Sequence, residues 1–142
     1  MRTAPGTAPA LALVLATACT FAEEDPVALV AARGPDAVDC GAVEAWGEPP
    51  LTPGWARACA LAARGRGEGF RAVVSQAVAD GADVIGWVGG ADGGGWRLHY
   101  TAVFGTYIGG DAECVDWRAC GAIRDRGPTC PTLAVDLCFT CE

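Results

Sequence analysis

The sequence predicts an α+β domain in which one main helix packs on an antiparallel β-meander of three to four strands, followed by a disulfide-stapled C-terminal segment. Two observations support this prediction. A single Ala-rich helical stretch is followed directly by three β-rich runs that turn residues separate. Five of the eight cysteines lie from Cys114 onward, where Gly and Pro interrupt the chain. About 120 residues follow the leader described below, which is enough for one domain with a modest core.

The main helix is predicted to begin after Thr52, a good N-cap residue, with Pro53 in its first turn. It continues through the Ala-rich residues 55–64, and Gly65 is suited to the left-handed position that ends a helix. Three residues at helical spacing share one face that we expect to pack on the sheet: Trp55, Cys59 and Ala62.

The meander is predicted from three runs, Phe70–Val78, Asp83–Val88 and Trp96–Ile108, joined by hairpin turns. In the third run, Trp96, Leu98, Tyr100 and Phe104 alternate with Arg97, His99 and Thr101, which indicates one buried and one solvated face. A last strand is expected within residues 133–139.

The N-terminal residues 19–50 are predicted to form a tether and arm that precede the cysteine-rich domain of residues 51–142. Asp25 can cap a short helix that begins at Pro26, and Gly34 with Pro35 would end it.

Residues 1–18 have the features of a signal peptide. Arg2 is the only charge before an apolar run from Ala10 to Ala18, which is shorter than the roughly 20 residues a membrane-spanning helix needs. The run ends in Ala16-Thr17-Ala18-Cys19, which resembles the bacterial lipobox, although Ala16 stands where that pattern has an aliphatic residue.

This resemblance to bacterial lipoproteins implies acylation of Cys19 and cleavage just before it. The chain would then be a cell-envelope lipoprotein facing the periplasm or the exterior, held to the membrane by its acyl anchor. Ordinary cleavage after Ala18 or after Ala22 is the alternative, and it leaves a soluble periplasmic or secreted protein. The formal net charge of −7 makes nucleic acid an improbable partner.

The cysteines after Cys19 are expected to be structural, because an oxidising compartment favours disulfides. Their odd number predicts three bridges and one unpaired thiol. We expect Cys40 to pair with Cys59 and two bridges to form within the last five. The Cys138-x-x-Cys141 motif lies at the end of the chain with no helix to follow it, so neither a redox role nor a zinc site with Cys130 is favoured. The disulfide candidates are Cys40, Cys59, Cys114, Cys120, Cys130, Cys138 and Cys141.

No group of residues indicates catalysis, a metal or a cofactor. His99 is the only histidine and Ser75 the only serine, and no nucleophile-elbow motif surrounds Ser75. The glycine-rich residues 86–95 lack the Lys-Ser/Thr ending of a P-loop and are interpreted as a hairpin. Asp80, Asp83 and Asp92 lack the EF-hand pattern for Ca²⁺.

We therefore expect an exported, non-catalytic structural or interaction module whose partner the sequence does not name. Two alternatives remain open. Residues 76–80, Gln-Ala-Val-Ala-Asp, are similar to the Q-x-V-x-G loop of cystatins, with Asp80 at the last position and Gly81 one place later. This resemblance implies a protease inhibitor that acts through the Gln76–Gly81 hairpin. The other alternative is a secreted hydrolase that uses His99, together with Arg97 and Tyr100.

Overall fold

A six-stranded sheet with a helix on each face organises the chain. The computed structural model describes residues 18–20, 25–103, 112–127, 130 and 136–142. In chain order the elements are β1 (Ala18–Thr20), α1 (Pro26–Arg33), β2 (Val38–Glu44), α2 (Pro53–Gly65), β3 (Phe70–Val78), β4 (Gly81–Gly89), β5 (Gly95–Val103), β6 (Ala112–Cys120), β7 (Ile123–Asp125) and β8 (Phe139–Cys141). The sheet order is β1-β6-β5-β4-β3-β2, and β7 pairs with β8 in a separate ribbon.

The α+β class is confirmed, and the detail of the prediction is corrected. Strands β3 to β6 form an antiparallel meander of four strands. Strand β2 pairs in parallel with β3, with α2 as the crossover between them, so the sheet is mixed. The predicted arm supplies both α1 and β2 to this structure. Sequence reasoning missed β2 because it is a short run interrupted by Gly41, and missed β6 because charged residues break its apolar pattern.

Both helices begin at the residues that the sequence indicates. The Asp25 carboxylate accepts a hydrogen bond from the Val27 N–H at 2.9 Å, and Thr52 Oγ1 accepts one from the Trp55 N–H at 3.1 Å. The predicted end of α2 differs slightly. Gly65 is its last helical residue, and Gly67 takes the left-handed conformation, with φ of 70°.

The predicted sheet-facing side of α2 is wrong. Trp55 is 43% exposed and Ala62 is also exposed, whereas the buried side is formed by Pro53, Ala56, Ala60 and Ala63. Small alanine side chains let the helix approach the sheet closely, and the larger Trp55 is left at the margin. Cys59 is half-buried at the same margin, where it reaches Cys40.

Each face of the sheet has its own apolar cluster. The α2 face, which α2 and the β7–β8 ribbon cover, contains Phe70, Val74, Ile85 and Trp87. The α1 face has a second cluster, whose buried members are Val30, Val73, Val84, Val88, Leu98, Tyr100 and Ala102. The alternation predicted for β5 is confirmed for Leu98 and Tyr100, and Phe104 lies outside the described residues.

Three described disulfides bind the elements together. Cys40–Cys59 joins β2 to α2, as predicted. Cys120–Cys141 joins β6 to β8, and Cys130–Cys138 closes a short loop, so two bridges within the last five cysteines are also confirmed. The predicted unpaired thiol is wrong, because Cys114 is disulfide-bonded as well and none of the cysteines from Cys40 onward is free. The bridges indicate folding in an oxidising extracellular or periplasmic environment.

None of the helices in the described ranges has the length and hydropathy needed to cross a membrane.

The C-terminal ribbon is fixed to the α2 face by ring and ion-pair contacts. Phe139 packs against Phe70 and Trp87, with ring centroids 5.6 and 5.8 Å apart. Arg57 of α2 donates to the Leu137 carbonyl at 2.8 Å and pairs with Asp125. The hydrogen bond that Arg57 donates is the main cause that lowers the pKa of the Asp125 carboxyl below its ordinary value, and the hydrogen bond from the Gly127 N–H lowers it further. The predicted strand at 133–139 lies largely outside the described residues, and β8 begins at Phe139.

Gly86 of β4 lies where α1 packs most closely on the sheet, and this predicts a large effect of one methyl group. A Cβ at Gly86 would come within 2.5 Å of Val30 Cγ2 and 3.1 Å of Leu98 Cβ. Gly86→Ala is therefore expected to lower the free energy of unfolding by about 1–3 kcal/mol, measured by denaturant titration. Gly65→Ala is the control, because no atom lies within 4 Å of its Cβ. It is expected to raise that free energy by about 0.5 kcal/mol through helix propensity. Equal effects of the two substitutions would contradict the packing described for α1.

Candidate functional site

His99 lies on the α2 face of β5 and pairs with a carboxylate. Its Nε2 is 2.6 Å from Asp83 Oδ1, and the two side chains are 41% and 34% exposed. Its direct cross-strand neighbours are Ile85 on β4 and Asp116 on β6. This contact is a partly exposed side-chain hydrogen bond, and such bonds contribute about 1 kcal/mol.

The strand register separates the residues that the hydrolase hypothesis needs. Ser75 lies opposite Val84, and Val84 lies opposite Tyr100, so these side chains share the α1 face. His99 points to the other face of the same sheet, because successive side chains alternate. Arg97 does share the face of His99, where its guanidinium lies 5.8 Å from the centroid of the Trp87 ring. The structure thus brings neither Ser75 nor Tyr100 to His99.

The candidate metal residues are also separated or already bonded. Asp92 lies in the turn after β4, at the opposite end of that strand from Asp80 and Asp83, and its carboxylate accepts a hydrogen bond from the Gly94 N–H at 3.0 Å. The glycine-rich segment is the β4–β5 hairpin, as predicted.

The C-terminal cysteines are all used in bridges. Cys138 is bonded to Cys130 and Cys141 to Cys120, so the C-x-x-C motif contains two halves of different disulfides. Among the described residues, Cys130, Asp136 and Cys138 place ligand atoms within 4.8 Å of one another. Their two sulfur atoms form a disulfide and therefore are not the thiolates that zinc requires.

A cavity of about 520 Å³ opens beside the β4–β5 hairpin. Its polar lining includes Arg33, Asp36 and Asp92, and Val88 and Trp96 supply apolar surface. One guanidinium faces two carboxylates here, so the lining carries no excess of positive charge for an anion. The cavity contains none of the candidate catalytic residues described above.

The Arg33 guanidinium is stacked between two indole rings. Its Cζ lies 4.2 Å from the centroid of the Trp96 ring and 4.1 Å from that of Trp117. Partial burial lowers the pKa of Arg33 from its ordinary value, although an arginine side chain remains charged at neutral pH. The stack joins the end of α1 to β5 and β6, and we interpret it as a structural contact.

The most conspicuous exposed feature is the loop of residues 45–52 between β2 and α2, which we name the tryptophan loop. Trp46 is 82% exposed and Leu51 is 53% exposed. Tryptophan is enriched among the side chains that dominate binding energies at interfaces, so an exposed one is a candidate anchor for a partner. The sequence analysis did not identify Trp46 as a candidate binding residue. A tryptophan within a predicted loop rich in Glu, Gly and Pro could have indicated it.

Backbone contacts hold the tryptophan loop in place. The Ala45 N–H donates to the Ser75 carbonyl at 2.8 Å, and the Leu51 N–H donates to that of Glu48 at 2.9 Å. A Cβ at Gly47 would come within 2.3 Å of the Leu51 carbonyl oxygen, so the turn accepts only glycine. The Cys40–Cys59 disulfide fixes the two elements on either side.

The β3–β4 hairpin lies at the same end of the sheet as this loop. Strands β2 and β3 are parallel, so their C-terminal ends lie side by side, with Glu44 opposite Ser75. The hairpin turn follows Val78, which is 46% exposed, and Val103 on β5 is 39% exposed across from Gly81. Trp46, Val78 and Val103 are therefore exposed apolar side chains toward the same end of the sheet.

A scan against protein-family models gave no match, and neither did searches of curated proteins and of solved structures.

The Arg33 stack predicts that this arginine contributes more to stability than other exposed arginines. Arg33→Leu is expected to lower the free energy of unfolding by about 1–2 kcal/mol, because it removes two cation–π contacts. Arg66→Leu is the matched control, since its ion pair with Glu68 is half-exposed on both sides, and a change within about 0.5 kcal/mol is expected. Urea titration followed by tryptophan fluorescence measures both. Similar losses in the two variants would show that the stacking is not stabilising.

Proposed function

We propose that this protein is an exported, non-catalytic interaction module that binds a protein partner through its tryptophan loop. The observation that carries the proposal is the 82% exposure of Trp46 on a loop whose backbone is fixed. Tryptophan, with tyrosine and arginine, is enriched among the side chains that dominate binding energies. Burying an indole removes roughly 150–250 Å² from water, which corresponds to about 4–6 kcal/mol at 25 cal/mol per Å².

Preorganisation supports this proposal further. A loop that is already ordered loses little conformational entropy when a partner binds, so more of the burial energy is retained as affinity. The hydrogen bonds of Ala45 and Leu51, the turn at Gly47 and the disulfide next to the loop all act in this direction.

The charges around the loop indicate the chemistry of the partner. Glu44 and Glu48 flank Trp46, both are exposed, and residues 40–56 contain no Arg or Lys. The whole chain carries a formal charge of −7. The complementary surface is an apolar pocket with a rim of lysines or arginines, and its association would weaken with salt because rim charges are screened.

The separation of Ser75 and Tyr100 from His99 supports a non-catalytic module over a hydrolase. The acyl anchor on Cys19 remains a prediction from the lipobox resemblance, and a binding role for the loop does not require it.

Site-specific photocross-linking in the cells that export the protein tests this function. A photoreactive residue at position 46 is expected to give a discrete adduct, whereas one at the exposed Ala119, at the other end of the sheet, is not. Excess purified wild-type protein should suppress the adduct, and the Trp46→Ala protein should suppress it at least tenfold less well, because the indole supplies most of the buried area.

Equal labelling at positions 46 and 119 would contradict the proposal. If the only adduct is with a second copy of this chain, the loop mediates self-association, and the proposed basic partner is wrong.

A second candidate function is cystatin-like inhibition, and the exposed hairpin favours it. Residues 77–80 are exposed at the turn between β3 and β4, on the same sheet end as Trp46. If the hairpin inhibits, micromolar protein should lower the activity of a papain-type protease. Asp80→Gly, which gives the loop its pattern glycine, should inhibit more strongly than wild type. Unchanged protease activity with both proteins would exclude this function.

A further inference from the structure

We propose that the disulfide partner of Cys114 is Cys19, so that Cys19 is a structural half-cystine and not an acyl acceptor. The starting point is the bonding of the other cysteines. Six of the eight are bonded to each other in three bridges, and Cys114 is also disulfide-bonded. Within one chain, Cys19 is the only cysteine that remains for it.

The backbone register supports this pairing independently. Strand β1 pairs antiparallel with β6, and Cys19 is the direct cross-strand partner of Cys114, with Ala18 opposite Val115 and Thr20 opposite Glu113. Directly opposed residues on antiparallel strands have Cα atoms about 4.5–5.5 Å apart. Disulfides span about 4.4–6.8 Å, and the three described bridges have Cα separations of 5.6, 4.9 and 5.7 Å. The register therefore aligns the two backbones as a disulfide between these residues requires.

The chemistry of the two fates is exclusive. When the bridge forms, the Cys19 and Cys114 thiols together lose two protons and two electrons. A thiol–disulfide oxidoreductase in the compartment to which the protein is exported accepts them, and its own disulfide is reduced to a dithiol. Lipidation instead makes a thioether on the same Cys19 sulfur. Both fates are compatible with cleavage after Ala18, so that cleavage site does not distinguish them. The covalent state of the Cys19 sulfur distinguishes them.

The bridge would have a clear structural effect. Strand β1 has only three residues at the edge of the sheet, and so short a strand is held by few hydrogen bonds. A covalent bond to β6 would hold this strand in place and cover the edge of β6. The inference does not depend on the proposed function, because β1 and β2 are opposite edges, about 24 Å apart at 4.8 Å per strand.

Tryptic mapping of the exported, unreduced full chain tests the inference. Cleavage after arginine places Cys19 and Cys114 on separate peptides, residues 19–33 and 98–118, and neither contains another cysteine. We expect one disulfide-linked species made of these two peptides, which reduction separates. In Cys114→Ser, Cys19 should become alkylatable without reduction, and in Cys59→Ser only Cys40 should become so.

Several results would overturn the inference. These are a diacylglyceryl thioether on Cys19, incorporation of labelled palmitate that Cys19→Ser abolishes, a mature N-terminus after residue 19, and linkage of Cys114 to a second chain. Because the mapping uses the wild-type protein, a variant that fails to fold does not affect the result. The cross-linking at position 46 is read separately, so either proposal can fail without the other.

Discussion

Strand β4 is the element on which the rest of the structure depends, because it is buried on both faces from Val84 to Gly89. On one face Gly86 admits Val30 of α1, and on the other Ile85 and Trp87 meet the cluster under α2 and the C-terminal ribbon. A strand that supports two layers needs a small residue where a helix approaches and large ones where a wide gap must be filled. The alternation of side chains along β4 supplies both within a few residues.

The disulfides attach the outer elements to this central sheet. One joins α2 to the edge strand β2, and another joins the end of the chain to β6. A covalent link at each of these positions limits the freedom of the unfolded chain. The Cys40–Cys59 bridge also joins the strand and the helix that flank the tryptophan loop. The Cys40–Cys59 bridge therefore contributes both to stability and to the proposed binding role.

Local signals predicted what depends on neighbours in sequence. The caps at Asp25 and Thr52 and the hairpins of the meander were predicted correctly, because short-range geometry decides them. The Cys40–Cys59 pair was also predicted correctly. The errors came from long-range effects. The buried face of α2 was misassigned because alanines, and not Trp55, allow close approach to the sheet. Strands β2 and β6 were missed because their own residues favour a strand only weakly, and pairing with β3 and β5 stabilises them as strands.

The sequence alone was enough to predict an α+β domain that is acidic and rich in cysteines. Composition and local pattern are sufficient for these properties. The tertiary structure was needed to show that Ser75 lies on the opposite face of the sheet from His99, that Trp46 is exposed in the loop between β2 and α2, and that Cys19 is aligned with Cys114. The relations of Ser75 to His99 and of Cys19 to Cys114 depend on strand register, and a shift of one residue would move every side chain of a strand to the other face.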